Sequence, residues 1–257
     1  MLVAITRAVS PTLAQCQLTH LARESIHVAR AQAQHAAYED ALRSLGAEVV
    51  RVPPAPSLPD AVFVEDIAVV LDEVAVIARP GAPTRRAEVD PVAAMLADFR
   101  PLLHLTPPAT LDGGDVLALG ATVYVGMTTR TNLDAAGQLR TLLKPFGYAV
   151  VPVPVSGCLH LKSAVTQIGE RRLLMNPEWV RAAEFGDAEP LFVDPAEPGG
   201  ANALWIEGSV VYPAQFPRTA ERLAAEGLRV MPVECSELAK AEGGVTCCSL
   251  VFRAEAT

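Results

Sequence analysis

Five chemically complementary side chains recur along the sequence at nearly equal intervals. Glu65, Asp112, His160, Asn202 and Cys247 are separated by 47, 48, 42 and 45 residues. A thiolate is a nucleophile, an imidazole carries protons near neutral pH, and a carboxylate can orient that imidazole. If the fold brings these groups together, they indicate covalent catalysis. The alternative is that polar residues simply begin strands, as they often do.

A cluster of acids surrounds the first of these positions. The stretch LPDAVFVEDIA contains Asp60, Glu65 and Asp66. Carboxylates raise the pKa of a nearby thiol unless a positive charge lies between them. A guanidinium is a permanent planar cation that carboxylates bind in pairs, so its binding would favour the thiolate. The acids therefore indicate a guanidino substrate, although a solvated strand start explains VED alone equally well.

Two arginines occupy matching places in the sequence. Arg85 in PGAPTRRAEV and Arg130 in VGMTTRTN each follow the predicted second strand of a repeat. Guanidinium groups bind carboxylates with two parallel hydrogen bonds, so the pair is predicted to hold the carboxylate of a substrate. We interpret the neighbouring Arg86 as an ordinary surface residue.

The elements that must position these residues form an internal repeat. Four stretches follow the order strand–strand–helix–strand and begin with FVEDIA, LDGGDV, LHLKSA and ANALWI. Helices are predicted over about 84–99 and 133–146, and another is predicted to end at Gly227. The fifth copy is split, because VTCCSLVF at one end needs MLVAITR at the other, followed by a helix within 20–46. We expect one domain over 1–257, an α/β ring of five modules closed by its terminal strands.

The adjacent thiols of Cys247 and Cys248 cannot both face the centre of such a ring. Neighbouring residues of a strand point to opposite faces, so we assign Cys247 to the cavity and Cys248 to the apolar layer under the helices. For the same reason a zinc site built from both thiols and His160 is disfavoured, and no metal is predicted. Gly243 and Gly244 would allow the backbone to approach a ligand closely.

The overall composition excludes several classes of protein. Hydrophobic residues make up 51% of the 257 residues and charged ones 19%, which is typical of a folded chain and not of a disordered one. The net charge of −8 disfavours a nucleic-acid partner. No signal peptide or membrane-spanning stretch is predicted, and the five cysteines lack a disulfide-framework spacing, so we expect a cytoplasmic protein with reduced thiols.

Six ordered motifs resemble those of the dimethylarginine dimethylaminohydrolases, a family within the guanidino-modifying superfamily. They are LPDAVFVEDIAVV, RPGAPTRRAEVDP, LDGGDVL, TRTN, LHLKSA and GGVTCCS. The resemblance covers nearly the whole chain and implies the five-bladed α/β propeller of that superfamily. It also implies that SPTLAQCQLTH is a mobile lid, which it matches in position and character.

The resemblance implies a role for each motif residue. Cys247 corresponds to the nucleophile, His160 to the general acid and base, and Asp112 to the acid beside the histidine, where some bacterial relatives carry Glu. Substrate contacts are implied for the following residues: Asp60, Glu65, Asp66, Arg85, Arg130, and the backbone carbonyls of Leu18 and Ala241.

The implied reaction is hydrolysis of an Nω-methylated arginine to citrulline and a methylamine through a cysteine thiouronium, without metal or organic cofactor. The partner is a small guanidino compound, and the protein is a monomer or homodimer. One alternative is a deiminase acting on free arginine or agmatine. It is disfavoured because 257 residues leave no space for the usual helical insertion, and agmatine has no carboxylate. A non-catalytic guanidino-binding protein and a cysteine amidase of another fold are further alternatives.

Overall fold

In the part of the chain that the structure describes, fifteen short strands form five separate three-stranded sheets. The computed structural model describes residues 1–254. In chain order the strands are β1 (Leu2–Arg7), β2 (Glu48–Val52), β3 (Ala68–Val70), β4 (Ala75–Ile77), β5 (Leu102–His104), β6 (Val116–Leu119), β7 (Thr122–Met127), β8 (Ala149–Pro154), β9 (Val165–Gln167), β10 (Arg172–Met175), β11 (Glu189–Phe192), β12 (Leu204–Ile206), β13 (Ser209–Pro213), β14 (Arg229–Val233) and β15 (Leu250–Arg253).

Each sheet has the same topology. The central strand pairs antiparallel with the strand before it and parallel with the strand after it, in the orders β3-β4-β5, β6-β7-β8, β9-β10-β11 and β12-β13-β14. An antiparallel pair needs only a tight turn, whereas the parallel return requires a crossover segment. The five-bladed α/β propeller is therefore confirmed, and the predicted strand–strand–helix–strand order holds except that a 3₁₀ helix, Ala182–Phe185, replaces the α-helix between β10 and β11.

The fifth sheet joins the two ends of the chain. Strand β15 pairs antiparallel with β1, with Leu2 opposite Arg253 and Ile5 opposite Leu250, and β1 pairs parallel with β2. The N-terminal ammonium also donates a hydrogen bond to the carbonyl of Ala254. The terminal strands thus complete one module, as the split repeat predicts.

The apolar core is divided among the joints between modules. There are five clusters of buried side chains, and each contains residues from two consecutive sheets, including the pair formed by the last sheet and the terminal one. Representative members of these joints are Val3 with Ile77, Val76 with Val123, Tyr124 with Leu173, Leu174 with Val210, and Ala4 with Val211. Because every module buries its apolar surface only against its neighbours, the ring must close to cover all five faces.

The helices differ from the prediction at several ends. They are α1 (Val28–Ser44), α2 (Val89–Leu96), α3 (Leu133–Leu143), α4 (Leu161–Ala164), α5 (Pro217–Ala225) and α6 (Ser236–Ala239). Helix α1 begins later than predicted, and residues 83–88, predicted as the start of α2, form a 3₁₀ helix. The ending at Gly227 is close, since α5 stops two residues earlier and Gly227 adopts φ +79°. Among the described residues, no helix is both long and apolar enough to cross a membrane.

A short helical turn stands before the first strand of several modules, and sequence analysis placed strands there instead. Examples are the 3₁₀ helices Val64–Ile67 and Gly113–Asp115 and the one-turn helix α4. Cys247 and Cys248 likewise lie in a turn, because β15 begins only at Leu250. The strand-alternation argument for the two cysteines was therefore wrong.

Candidate active site

A small closed cavity collects most of the residues that the sequence singled out. Its volume is about 20 Å³, which is space for about one water molecule. Seven of the ten predicted site residues line it: Asp60, Asp66, Arg85, Arg130, His160, Ala241 and Cys247. Glu242 also lines it, so the cavity contains a thiol, an imidazole, three carboxylates and two guanidinium groups.

Asp112 lies directly behind His160. Its Oδ2 is 3.0 Å from Nε2 of the imidazole and 3.5 Å from Nη1 of Arg130, and its Oδ1 accepts the N–H of Gly81 at 2.8 Å. The other ring nitrogen, Nδ1, is 3.8 Å from Oδ1 of Asp66. The imidazole is therefore held between two carboxylates, with Nε2 committed to Asp112.

These carboxylates decide the charge of His160. Burial by itself would lower the pKa of the imidazole, because it disfavours the charged form. The negative charges of Asp66, Asp115 and Asp112 outweigh burial and raise the pKa to about 9. His160 is consequently an imidazolium at neutral pH, which is the form that can donate a proton.

The thiol of Cys247 has the opposite tendency. Its Sγ accepts a hydrogen bond from the N–H of Gly244 at 3.3 Å. Burial, followed by the negative charges of Glu65 and Asp66, raises the pKa of the thiol far above its usual value. At neutral pH the described site thus holds a neutral thiol beside a cationic imidazole, and a cation placed next to the sulfur would shift that balance toward thiolate.

Only one of the adjacent thiols reaches the cavity. Cys248 does not line it; its Sγ lies 3.6 Å from the carbonyl of Gly244 and belongs to an apolar cluster that includes Tyr38 of α1. The predicted directions of Cys247 and Cys248 thus agree with the structure, but a turn produces them. The other cysteines are buried and do not line the cavity: Cys16, Cys158 and Cys235.

Glycines allow the elements around the site to approach one another. A Cβ on Gly114 would lie 2.7 Å from both Asp66 Oδ1 and His160 Nδ1, and Gly114 donates its N–H to Asp66 Oδ1 at 3.0 Å. A Cβ on Gly244 would lie 2.3 Å from Oδ1 of Asn202. A larger residue at position 114 would push Asp66 and His160 apart, and one at position 244 would displace Asn202.

Arg85 is bound mainly by the protein itself. It is buried, its Nη1 donates to Asp66 Oδ2 at 2.5 Å, and its Nη2 donates to Glu88 Oε2 at 2.8 Å and to the carbonyl of Phe63 at 3.0 Å. Its Nε donates to Glu88 Oε1. Four of its five N–H groups are therefore bonded, and one on Nη1 is left for a ligand. Sequence analysis missed Glu88, whose spacing of three residues from Arg85 on a predicted helix was the available signal.

Three of the five repeated polar residues do not line the cavity. Asp112 lies behind His160, whereas Glu65 and Asn202 contact the turn that contains Cys247. Glu65 accepts from Lys162 Nζ at 2.5 Å and from Thr246 Oγ1 at 2.8 Å. The side-chain amide nitrogen of Asn202 donates to the same Thr246 hydroxyl at 3.0 Å, and its Oδ1 accepts the backbone N–H of Thr246. Both therefore hold the residue that precedes Cys247. The expectation that all five repeated groups point into one hollow was too simple.

Residues 16–27, named the lid, cover the cavity; they overlap the predicted lid, residues 10–20, only at residues 16–20. The carboxylate of Glu242 accepts the backbone N–H groups of Thr19 at 3.0 Å, His20 at 2.6 Å and Leu21 at 2.7 Å. The N–H of Gln17 also donates to Asp60 at 3.2 Å. The lid runs across the site in a non-helical conformation, which explains why α1 begins only at Val28.

The structure and the prediction differ on which residue of the lid lines the cavity. Leu18 is half-buried against an apolar cluster and does not line the hollow, whereas Gln17 does. Arg130 Nη2 donates to the hydroxyl of Thr19 at 3.1 Å, so the lid contacts a predicted substrate-binding residue. Sequence analysis missed Glu242, whose φ of +59° is unusual for a residue other than glycine.

Asp66, Asp112 and His160 could in principle hold a metal ion, because their ligand atoms lie within 4.8 Å of one another. Each carboxylate is already paired with an arginine, Asp66 with Arg85 and Asp112 with Arg130. Metal binding also requires a neutral imidazole, whereas the pKa of His160 is raised. The donor set therefore favours a proton relay, and the absence of a metal stays a prediction.

Comparisons with known proteins agree with the motifs. The family model described as "N,N dimethylarginine dimethylhydrolase, eukaryotic" matches residues 14–185. The N(G),N(G)-dimethylarginine dimethylaminohydrolase of Streptomyces coelicolor is 41% identical over 97% of this chain and 96% of its own length. The protein of that name from Pseudomonas aeruginosa is 35% identical over 87% of this chain and 89% of its own.

Solved structures give the same result. A variant of the P. aeruginosa enzyme complexed with citrulline superimposes with a TM-score of 0.92 at 33% identity, covering 97% of this chain and 98% of that chain. The N-terminal domain of ArgZ, an arginine dihydrolase, has a TM-score of 0.88 at 19% identity and covers 98% of both chains. The second likeness concerns the fold alone.

Proposed function

The chain belongs to the dimethylarginine dimethylaminohydrolase family, and we propose from this that Cys247, His160 and Asp112 carry out its hydrolytic reaction. The protein is a cysteine-dependent hydrolase of guanidino C–N bonds that converts Nω-methylated arginine to citrulline and dimethylamine or methylamine. The observation that supports these site assignments most directly is that the thiol and the imidazole line one small cavity together with Asp60 and Asp66.

Substrate binding activates the nucleophile. The guanidinium lies beside Asp66, and Glu65, which does not line the cavity, contributes only its negative charge. Its positive charge offsets the carboxylates that raise the pKa of Cys247, so the thiol releases its proton to solvent. The Gly244 N–H, 3.3 Å from Sγ, then stabilises the thiolate.

The first chemical step forms a carbon–sulfur bond and breaks a carbon–nitrogen bond. The Cys247 thiolate attacks the central guanidinium carbon, and the imidazolium of His160 gives a proton to the departing amine. Nε2 is bonded to Asp112, so Nδ1 is the nitrogen we assign to this transfer. The amine leaves neutral, His160 becomes neutral, and a cationic thiouronium stays attached to Cys247.

The second step uses the neutral imidazole as a base. His160 takes a proton from water, and the hydroxide adds to the thiouronium carbon. Collapse of this adduct transfers the hydroxyl proton to the departing sulfur and releases citrulline. The thiol of Cys247 and the imidazolium of His160 are both regenerated, which is their form before substrate binds at neutral pH.

We assign the amino-acid end of the substrate to the residues near the lid. Arg130 and the remaining N–H on Nη1 of Arg85 bind the α-carboxylate. The α-amino group is bound by the carboxylate of Asp60 and by the backbone carbonyls of Leu18 and Ala241. A cavity of about 20 Å³ is far too small for a methylated arginine, so the lid must open in every turnover.

We further propose that residues 1–257 act as one catalytic domain, of which 255–257 lie outside the described residues. The partner is a small guanidino substrate rather than nucleic acid, the location is cytoplasmic, and the protein is a monomer or homodimer. Neither a metal nor an organic cofactor takes part in the steps above.

The decisive experiment measures both possible leaving groups. Asymmetric dimethylarginine, monomethylarginine, free arginine and agmatine are each incubated with the protein, and citrulline, methylamines and ammonia are quantified. We expect equal amounts of citrulline and dimethylamine from the dimethylated substrate. Ammonia from free arginine at a higher kcat/KM would favour a deiminase instead. Cys247→Ser should abolish turnover without changing the fold, whereas Cys248→Ser should keep most of it.

A further inference from the structure

Asp115 is fully buried next to the catalytic pair, yet the reaction above does not use it. Its carboxylate has three hydrogen-bond donors: Oδ1 accepts the N–H of Leu161 at 2.9 Å, and Oδ2 accepts the hydroxyls of Thr128 at 2.7 Å and Thr131 at 2.6 Å. No ion pair of Asp115 occurs within residues 1–254. Burying a carboxylate that has only neutral hydrogen-bond donors costs folding free energy, so the position of Asp115 needs an explanation.

The groups that donate hydrogen bonds to Asp115 connect it to both members of the catalytic pair, Asp112 and His160. Leu161 directly follows His160 in the chain. Thr131 donates to Asp115 and at the same time accepts the backbone N–H of Asp112 at 3.2 Å. Asp112 and His160 belong to different modules and are 48 residues apart. The carboxylate of Asp115 therefore connects the two backbones that carry the catalytic hydrogen bond.

The space for this carboxylate comes from a neighbouring glycine. A Cβ on Gly126 would lie 2.9 Å from Asp115 Oδ1 and 2.7 Å from the Cβ of Leu161. Strand β7 thus leaves a gap in which the carboxylate of Asp115 meets the start of α4. The contact depends on fixed backbone and not on a flexible surface side chain.

The charge of Asp115 also acts on His160. Burial raises the pKa of Asp115 to about 6, against the opposing effects of His160 and the two threonines, so the carboxylate is ionised at neutral pH and above. Three other titratable groups surround Asp115 and His160. Asp66 and Asp112 also raise the pKa of His160, and the pKa of Cys158 is raised by burial and by Asp115. Besides the imidazolium of His160 at 3.0 Å, Asp112 has Arg130 Nη1 as a cationic neighbour at 3.5 Å.

We propose that Asp115 is a positioning residue that holds Asp112 and His160 in register across the joint between two modules and places a buried negative charge near the imidazole. The inference rests on the proposed function, because it assigns Asp115 to the same reaction. It predicts two separable effects, one on the geometry of the pair and one on its titration.

Asp115→Asn tests both effects, with Asp98→Asn as the control for loss of an exposed carboxylate. We expect kcat to fall about 10- to 100-fold, as for small misplacements of catalytic groups, while KM changes little because Asp115 does not line the cavity. The pH limb assigned to His160 should move to lower pH. Histidine NMR of the substrate-free protein should show the same downward shift, and Asp98→Asn should show neither change.

A second pair of variants decides the question if Asp115→Asn does not fold. Thr131→Ser keeps the hydroxyl that joins Asp115 to Asp112, whereas Thr131→Val removes it at similar volume. We expect serine to retain most of kcat and valine to lose about 10-fold or more, as a lost buried hydrogen bond to a charged group predicts. Equal kcat in the serine and valine variants would overturn the proposal.

The outcomes also separate this inference from the proposed function. Folded Asp115→Asn with the kcat and the His160 titration of wild type would overturn the role of Asp115 alone. Wild type that releases no amine from any methylated arginine would overturn the proposed function. In that case the NMR titration of His160 would still test the electrostatic part of the inference.

Discussion

The Sγ atom of Cys247 accepts a hydrogen bond from the backbone N–H of Gly244 at 3.3 Å. This donor is fixed by the turn that contains both residues, so it is in place before any charge develops on sulfur. Burial and two nearby carboxylates nevertheless keep the pKa of the thiol above its usual value. The site is thus prepared to stabilise a thiolate that forms only when a cation arrives.

The alkylation rate of Cys247 should therefore depend on the charge of the reagent. We expect neutral iodoacetamide to modify Cys247 slowly at pH 7 and faster as the pH rises through 9, because only the thiolate reacts. Cationic 2-chloroacetamidine should react at least about 10-fold faster at pH 7 than neutral 2-chloroacetamide, which has the same leaving group, because a positive charge beside the sulfur favours the thiolate. Mass spectrometry identifies the modified residue, with Cys247→Ser as the blank. Rapid iodoacetamide modification already at its plateau at pH 7 would contradict the assigned thiol state.

The raised pKa of His160 predicts how stability depends on pH. The native state binds the proton more tightly than the unfolded chain, whose imidazole has a pKa of about 6.5. The stabilisation is therefore complete below pH 6.5 and is lost as the pH rises through about 9, the folded value. The total should be about 3 kcal/mol, at roughly 1.4 kcal/mol per pKa unit.

Urea unfolding of wild type and His160→Gln between pH 6 and 9 measures this difference. Subtracting the two removes the contribution of cysteines, which ionise in the unfolded chain near pH 8.5 in both proteins. Asp115, whose pKa is about 6, titrates at the lower edge of this range. Parallel stability curves for the two proteins would show that His160 is not protonated at neutral pH.

Glu242 holds the lid, and its charge should matter. Glu242→Gln keeps the size of the side chain but removes its negative charge and puts an N–H₂ group in place of one oxygen, where it faces backbone N–H donors, so the lid should open more often. We expect KM to rise about 10-fold, because one or two hydrogen bonds to a charged group are lost. Trypsin should also cut faster after Arg23 in the lid. Glu24→Gln, an exposed change within the same lid, is the control. Unchanged cleavage at Arg23 in Glu242→Gln would argue against this role.

Arg85 and Arg130 should respond differently to truncation. Arg85→Ala leaves Asp66 and Glu88 buried without their cation, and we expect a loss of about 3–5 kcal/mol in the free energy of unfolding. Arg130→Ala removes a substrate contact and one long ion pair, so KM should rise about 10- to 100-fold with little loss of stability. Urea unfolding and steady-state kinetics separate the two, with Arg86→Ala as the control. Equal stability of Arg85→Ala and Arg130→Ala would contradict the internal role of Arg85.

Much of the architecture could be predicted because it is encoded in short stretches. Alternating apolar residues, turn glycines and the recurring order of elements indicated five modules, and the incomplete copy ending in VTCCSLVF indicated closure with MLVAITR. These signals are local, and each module repeats them. The helical turns at 64–67, 113–115 and 161–164 escaped prediction, since runs of three or four residues have no periodicity from which to read them.

The sequence by itself determined which residue types recur at the module ends, and therefore the kind of chemistry: a thiol, an imidazole and acids for a cationic substrate. Only the tertiary structure decided how they are used. It turned Glu65 toward Lys162, saturated most of Arg85 with Asp66 and Glu88, and joined Glu242 to a lid more than 220 residues away in the chain. These outcomes depend on burial and on contacts between distant residues, and neither quantity exists until the ring has closed.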